Sequence, residues 1–430
     1  MNDRTALFAG LCQRPFVLLD GGTGTGLMAA GMPRGVCVER WVLEHPQVLI
    51  DWQRRYLAAG SRILLTPTFG ANRARLKQFG EQDNVTELNR RLAALTVEAA
   101  AGKALVAGDV SPTGLFCEPF GDTCFEELVA IYTEQIAALK QAGADLIFAE
   151  TMMSLGDVRA AVVAARDCGL PVLASVTLEN GGRTVSGMPA DAAVLALQAA
   201  GADAVGLNCS TGAQDMASLL PALQKYARIP LLVKPNAGTP DAPLSPAAFG
   251  EACAAMVQQG VFLLGGCCQS TPEHIAALNA ALPQTGCAAG PLRTLLAKLC
   301  RIPEAEAAGK PEPAGLPLCF ENRVFAETAG GEAGLALSEV IPCGEDLEDA
   351  LPDAADGEAA CALVQLHSTD DARRLACACF MSPLPVAVAA DDDAVLENAL
   401  RIFPGRCAAV CRTPAQRAIA ARWGAMVLEC

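Results

Sequence analysis

Ala142-Gly143-Ala144-Asp145-Leu146-Ile147-Phe148-Ala149-Glu150-Thr151 holds one junction of a repeating unit: an Ala-rich helix closed by glycine, a short link, then an apolar run ending in polar residues. Glycine reaches the left-handed conformation that closes a helix at no steric cost. The same junction recurs at Ala200-Gly201-Ala202-Asp203, just ahead of the run 204–209. Working outward, eight such runs can be counted, at 16–20, 63–68, 104–110, 145–151, 171–177, 204–209, 230–236 and 261–268. Their starts lie 26 to 47 residues apart, so each gap holds a crossover helix. Runs apolar on both faces and alternating with helices signal a parallel sheet covered on its outside, and eight units fit an α/β closed barrel, (β/α)8. An open doubly wound sheet is the alternative built from the same pieces.

The chain has 430 residues, more than one ordinary domain holds. With 52% hydrophobic and 18% charged residues it is a folded protein and not a disordered one. Lys plus Arg number 32 against 47 Asp plus Glu, and the net charge of −15 removes the attraction that nucleic acid and anionic membranes exert on a basic surface. Neither an export signal nor the roughly eighteen uninterrupted apolar residues of a membrane span is found, so a cytoplasmic protein is expected. Nineteen cysteines, an odd number diluted through a long chain, read as mostly reduced and buried thiols.

After Arg301 the composition changes. Pro303, Pro311, Pro313 and Pro317 mark a linker over 302–318, dividing residues 1–301 from a smaller unit at 319–430. From Ile302 onward nine Lys plus Arg face 21 Asp plus Glu, so −12 of the −15 sits there. Expected strands at 360–366, 385–389, 407–410 and 425–428, with helices over 393–402 and 414–423, make this a small acidic α/β domain.

In a barrel of this kind the loops after the strands form the catalytic face. Asp20, Thr66, Thr68, Asp109, Glu150, Thr177, Cys209, Asn236, Cys267 and Cys268 all end or follow a run. Cys209 after the sixth and Cys267 with Cys268 after the eighth offer three thiolates from nearby loops, an incomplete tetrahedron that suits zinc with one position open, as in catalytic sites. Successive strand residues point to opposite faces, so the pair reaches one ion only where the backbone leaves the strand, a departure that Gly265 and Gly266 allow. The plainer reading, that free cysteines are small buried hydrophobes, fits Cys377, Cys379, Cys407 and Cys411, which lack a partner motif. Asp20 and Glu150 read singly as helix caps and together as a grip for an ammonium group. Asn236 alone reads as a turn residue.

His45, His274 and His367 carry no metal spacing. His274 lies in the first turn of the helix that Ser270-Thr271-Pro272-Glu273 predicts, and reads as structural. Gly24-Thr25-Gly26-Leu27-Met28-Ala29 matches a dinucleotide-binding pattern, yet the second run ends in Thr-Pro-Thr where the ribose-binding acid belongs. A dinucleotide-dependent oxidoreductase is therefore a weak alternative.

Asp20-Gly21-Gly22-Thr23-Gly24-Thr25, Thr66-Pro67-Thr68-Phe69, Gly206-Leu207-Asn208-Cys209, Lys234-Pro235-Asn236-Ala237-Gly238 and Gly265-Gly266-Cys267-Cys268 with Thr271-Pro272-Glu273-His274 resemble, in order, the motifs of the homocysteine S-methyltransferases. That family includes betaine–homocysteine methyltransferase and the homocysteine module of cobalamin-dependent methionine synthase, and the likeness covers roughly residues 10 to 295. The resemblance implies zinc held by Cys209, Cys267 and Cys268, homocysteine's amino group held by Asp20 and Glu150, Asn236 near the metal and Thr68 on the substrate side. It implies methyl transfer to homocysteine's sulfur, giving methionine, with the donor expected as methylcobalamin on a separate corrinoid carrier protein. Residues 385–406 resemble part of the pterin-binding barrel that follows in methionine synthase, without its pterin-binding residues. This tail is therefore expected to bind no folate and to pack on the barrel or meet a donor protein. A non-catalytic zinc-bearing subunit that docks on a partner is the alternative.

Overall fold

The computed structural model describes residues 3–179, 181–239, 241–302, 316–325, 328 and 335–429. Eight parallel strands form the larger sheet: β1 (Val17–Leu18), β2 (Ile63–Leu65), β3 (Leu105–Val110), β4 (Leu146–Met152), β5 (Val172–Val176), β6 (Ala204–Gly212), β7 (Leu231–Asn236) and β8 (Val261–Leu264). Their order is β1-β8-β7-β6-β5-β4-β3-β2, and a parallel bridge from Leu19 to Ile63 joins the two ends. The sheet is thus a closed barrel, which overturns the open doubly wound alternative.

The helices that follow the strands are α1 (Pro46–Ala59), α2 (Val85–Ala100), α3 (Phe125–Gln141), α4 (Leu155–Asp167), α5 (Ala190–Ala200), α6 (Ala213–Tyr226), α7 (Pro246–Val257) and α8 (Pro272–Ala281). The two glycine junctions are equivalent in three dimensions. Gly143 and Gly201 have φ of 100° and 104°, and the next N–H groups close the helices on Leu139 and Leu197 carbonyls at 3.1 and 3.0 Å. Asp145 and Asp203 then each accept a bond of 2.9 Å from a neighbouring strand, at the N–H of Val106 and Val172. One acid per junction thereby sets the register of helix to sheet.

Gly26, in the dinucleotide-like motif, serves packing: a Cβ there would lie 2.3 Å from the Trp52 ring on α1.

Of the Pro-rich linker, residues 303–315 lie outside the described residues. Beyond it, β11 (Leu337–Pro342), β12 (Cys361–Leu366), β13 (Val386–Ala390), β15 (Ala408–Cys411) and β16 (Met426–Glu429) form a parallel sheet in sequence order, the order of a barrel wall with five strands. A short helix over Leu347–Asp353 links β11 to β12, and helices α9 (Thr369–Ala378), α10 (Asp393–Ile402) and α11 (Pro414–Arg422) make the later connections. A small antiparallel sheet of β9 (Leu318–Phe320), β10 (Val324–Phe325) and β14 (Gly405–Arg406) packs on α5. The strands and helices read from the tail's sequence are all present; β9, β10, β11, β14, α9 and the short helix Leu347–Asp353 were not foreseen.

Two barrel helices show how the tail is held. In most barrels the outer helices are half wet, but residues 157–165 of α4 are all buried, as are 192–197 of α5. A helix apolar all round must be covered on both sides, and here the barrel and the tail share one continuous core. Gly424 approaches α5 so closely that a Cβ would sit 2.6 Å from the Cα of Ala199. Arg159, within α4, donates to the Arg401 carbonyl at the end of α10 at 3.0 Å. A chain ended after Arg301 would expose the outer faces of α4 and α5, so we expect it to aggregate on size-exclusion chromatography while the full chain stays monodisperse. A monodisperse truncated chain with an unchanged melting temperature would refute this packing role.

Candidate metal and substrate site

The strand ends converge where the sequence reading placed them. β6 carries Cys209 in a left-handed conformation, φ 61°, unusual for a residue with a Cβ. β8 stops at Leu264, so Cys267 and Cys268 lie off the strand and turn toward one point. Gly265 and Gly266 do more than permit this departure. A Cβ on Gly265 would lie 2.7 Å from the Asp20 carbonyl, and one on Gly266 2.2 Å from Ser270 Oγ. The loop is pressed against β1 and its own return, and only glycine fits.

The sulfurs of Cys209, Cys267 and Cys268 all lie within 4.8 Å of one another, with Cys209 Sγ and Cys268 Sγ 3.8 Å apart. Zinc–sulfur bonds of about 2.3 Å at tetrahedral angles require sulfurs about 3.8 Å apart. The donor set and its spacing therefore fit a zinc ion. Crowding by the Cys209 thiol, with desolvation adding to it, pushes the Cys268 thiol up to about 11, and the two neighbouring thiols together push Cys267 well up. A cation beside them would favour ionising both thiols.

β7 spaces the two cysteine loops. The Cys267 N–H donates to the Pro235 carbonyl at 2.9 Å and the Ala237 N–H to the Cys268 carbonyl at 3.0 Å. Asn236, expected near the metal, accepts the Cys268 N–H at 3.1 Å through Oδ1. Asn208, quoted in the sequence only as part of a motif, ties three strand ends together. Its Oδ1 accepts from the Thr151 N–H at 2.8 Å and Ser175 Oγ at 2.7 Å, while its Nδ2 donates to Thr151 Oγ1 at 2.8 Å and stands 3.8 Å from Cys267 Sγ. His274 is structural, capping its helix at the Thr271 N–H and reaching the Leu244 carbonyl at 3.0 Å.

Beside the sulfurs lies a buried charge cluster. Lys234, which the sequence reading passed over, places its Nζ 3.2 Å from Glu150 and 3.6 Å from Asp20. Asp20 is fully buried; its Oδ2 accepts the Leu65 N–H at 2.8 Å, and burial pushes it up to about 6 against the pull of Lys234. Glu150 keeps a small exposed edge. Asp109, also buried, has one oxygen without a hydrogen-bond partner and is pushed well up by burial and by Glu150. Thr66 and Thr68 brace it: their hydroxyls lie 2.6 Å apart, the Asp109 N–H donates to Thr66 Oγ1 at 2.9 Å, and Thr68 Oγ1 donates to the Asp109 carbonyl at 2.8 Å. Asp20 and Glu150 are thus joined through a lysine, and neither is a helix cap.

Fold and site together define a (β/α)8 barrel with a three-thiol cluster beside a group of buried acids. The profile of the homocysteine S-methyltransferases matches residues 17–282, and the chain belongs to that family. The methionine synthases of Mycobacterium leprae and Mycobacterium tuberculosis are each 34% identical to it over 304 residues, 65% of this chain. The chain spans only 25% of the length of those relatives. The crystal structure of the homocysteine methyltransferase MmuM from Escherichia coli in its metallated form superposes with a TM-score of 0.54 at 26% identity, covering 65% of this chain and 99% of that one. Among the described residues no helix is long and apolar enough to cross a membrane.

Gly266→Ala should disturb the metal centre as severely as Cys209→Ala, because the added methyl displaces Ser270, whose Oγ accepts the Gly22 N–H at 3.0 Å and donates to the Cys267 carbonyl at 2.7 Å. Loss of the cobalt(II)–thiolate absorption band in both variants is the expected result. An intact band in Gly266→Ala would mean that the loop tolerates a side chain.

Proposed function

We propose that the barrel, residues 1–301, transfers a methyl group to the sulfur of homocysteine, giving methionine, with Cys209, Cys267 and Cys268 holding zinc. The observation that carries this reading is the pairing, at one strand-end face, of a three-thiol site with a cluster of three acids around one lysine. Bound by three cysteinates, zinc supplies the means to keep a substrate thiol ionised at neutral pH, where a free thiol of pKa about 8.5 is mostly protonated. An α-amino thiol matches both halves of the site, its sulfur at the cysteines and its ammonium at the acids.

The chain's own residues do the rest. Asp20, Asp109 and Glu150 face one cation, Lys234, so a substrate ammonium brings charge that the cluster lacks. Glu150 offers the accessible carboxylate edge, and Asp20 acts on it by sharing Lys234. Asn236 and Asn208 hold the cysteine loops in register, and Thr68 with Thr66 fixes Asp109 at the substrate side. In the transfer, the homocysteine thiol gives up its proton, its sulfur forms a bond to the methyl carbon, and the donor leaves with the electron pair of the broken bond.

The donor we favour is a methylated corrinoid on a separate carrier protein, since the matched relatives are methionine synthases. The unit at 319–430 is read as a covering domain that binds no folate, and the protein as cytoplasmic. Homocysteine incubated with a panel of methyl donors is the direct assay: methionine from the corrinoid donor supports the reading, and none from any donor opposes it. Neutralising Glu150→Gln should weaken homocysteine binding roughly ten- to a hundredfold, the equivalent of about 1.5–3 kcal/mol for a charge-assisted bond. Asp20→Asn should act in the same direction by leaving Lys234 to Glu150 alone. Calorimetric titration checks both, and unchanged affinity in the pair would assign them a purely structural role.

A further inference from the structure

Outside the reaction site, a cavity of about 440 Å³ lies between the barrel and the C-terminal unit. That is within the range of small-molecule sites, roughly 300–1,000 Å³. Its walls come from both parts of the chain. Phe116, Phe120 and Phe125 stand on the barrel side, Phe380 and Ala376 on the tail side, and Arg159 lines it from α4. None of Asp20, Glu150, Lys234 or the three site cysteines touches it. Its lining is mainly apolar and aromatic, and Phe120 and Phe380 meet edge to face with centroids 5.1 Å apart.

The cavity is lined by three acids, Glu118, Glu126 and Glu321, and two arginines, Arg373 and Arg159. Glu118 is taken by Arg373 and Glu126 by Arg401. Glu321 is held by the Leu155 N–H at 2.9 Å and Ser186 Oγ at 2.6 Å. Arg159 is fully buried, yet among the described residues no carboxylate lies within ion-pair distance of it. Its Nη2 reaches the carbonyls of Leu400 and Arg401, its guanidinium lies over the Phe125 ring at 5.4 Å, and its Nε has no hydrogen-bond partner. A buried guanidinium with an unused donor is costly unless a negative group meets it. Two helix N-termini border this space: that of α4 is already capped by Ser154 and by the Glu321 carboxylate, while the Cys124 side chain makes no capping bond to α3. The uncapped α3 end favours negative charge.

We propose that this cavity binds a small carboxylic acid with an apolar body, its carboxylate at Arg159 and its hydrocarbon among the phenylalanines. Such a ligand touches barrel and tail at once, so it ties the C-terminal unit to the loop that follows β3. Both parts must be present for the site to exist.

Calorimetric titration of the full chain with 3-phenylpropionate and with 3-phenylpropan-1-ol tests this directly. The acid should bind at least about tenfold more tightly than the alcohol, as expected for one charge-assisted bond. Arg159→Met should erase that preference. Because Arg159 is buried and its replacement risks misfolding, Ala376→Trp provides the second test: it fills the cavity from α9 and should weaken the acid at least about tenfold, with the circular-dichroism melt unchanged. Equal binding of acid and alcohol, no binding of either, or full binding to Ala376→Trp would each overturn the proposal.

Discussion

Three sulfurs from two separate loops must arrive within 4.8 Å of one another, and much of the barrel's upper face is arranged around that demand. The loops follow β6 and β8, so β7 stands between them. Its last residues, Pro235 and Asn236, and Ala237 just beyond them hydrogen-bond the loop after β8. β6 contributes a left-handed cysteine, a strained position held from the adjacent residue by the Asn208 network. Strain of this kind persists where surrounding bonds over-determine it, and it clusters at functional sites. The double glycine before the cysteine pair belongs to the same device, since the loop passes too close to β1 for any side chain.

The charge cluster beside the sulfurs follows a different logic. Burying Asp20 and Lys234 is expensive, and their mutual attraction offsets that only with good geometry. Here the lysine lies between two acids at 3.2 and 3.6 Å, while Asp109 retains an oxygen without a hydrogen-bond partner. A cluster optimised for stability alone would pair every charge. Having more acids than cations makes it complementary to a positively charged group, at the cost of stability in the empty state.

The apolar runs revealed all eight barrel strands, because a strand covered on both faces has an unbroken hydrophobic signature. The candidate ligands were legible for a related reason: polar residues stand out at the ends of such runs. Lys234 and Asn208 were harder to see because both lie within runs, where a polar residue reads as an interruption; a lysine inside an otherwise apolar strand was the available signal. The tail's seat on the barrel was also written in the chain. The stretch from Val158 to Ala165 is apolar but for Arg159, which marks a helix covered on both sides, and no helix of a bare barrel needs that. What the sequence could not convey was direction, such as which oxygen Asn236 presents or that Arg159 ends at another helix's carbonyls, since those depend on parts of the chain far apart in sequence.

The central claim is that one site recognises a thiol through the cysteine-held metal and an ammonium through the acids. It is tested most directly by titrating L-homocysteine into the zinc-loaded and the zinc-stripped chain at pH 7 in buffers of different ionisation enthalpy. The account predicts binding that depends on zinc and releases about one proton per homocysteine, because a thiol of pKa about 8.5 enters protonated and is held ionised. Equal affinity with and without zinc, or binding without proton release, would contradict it.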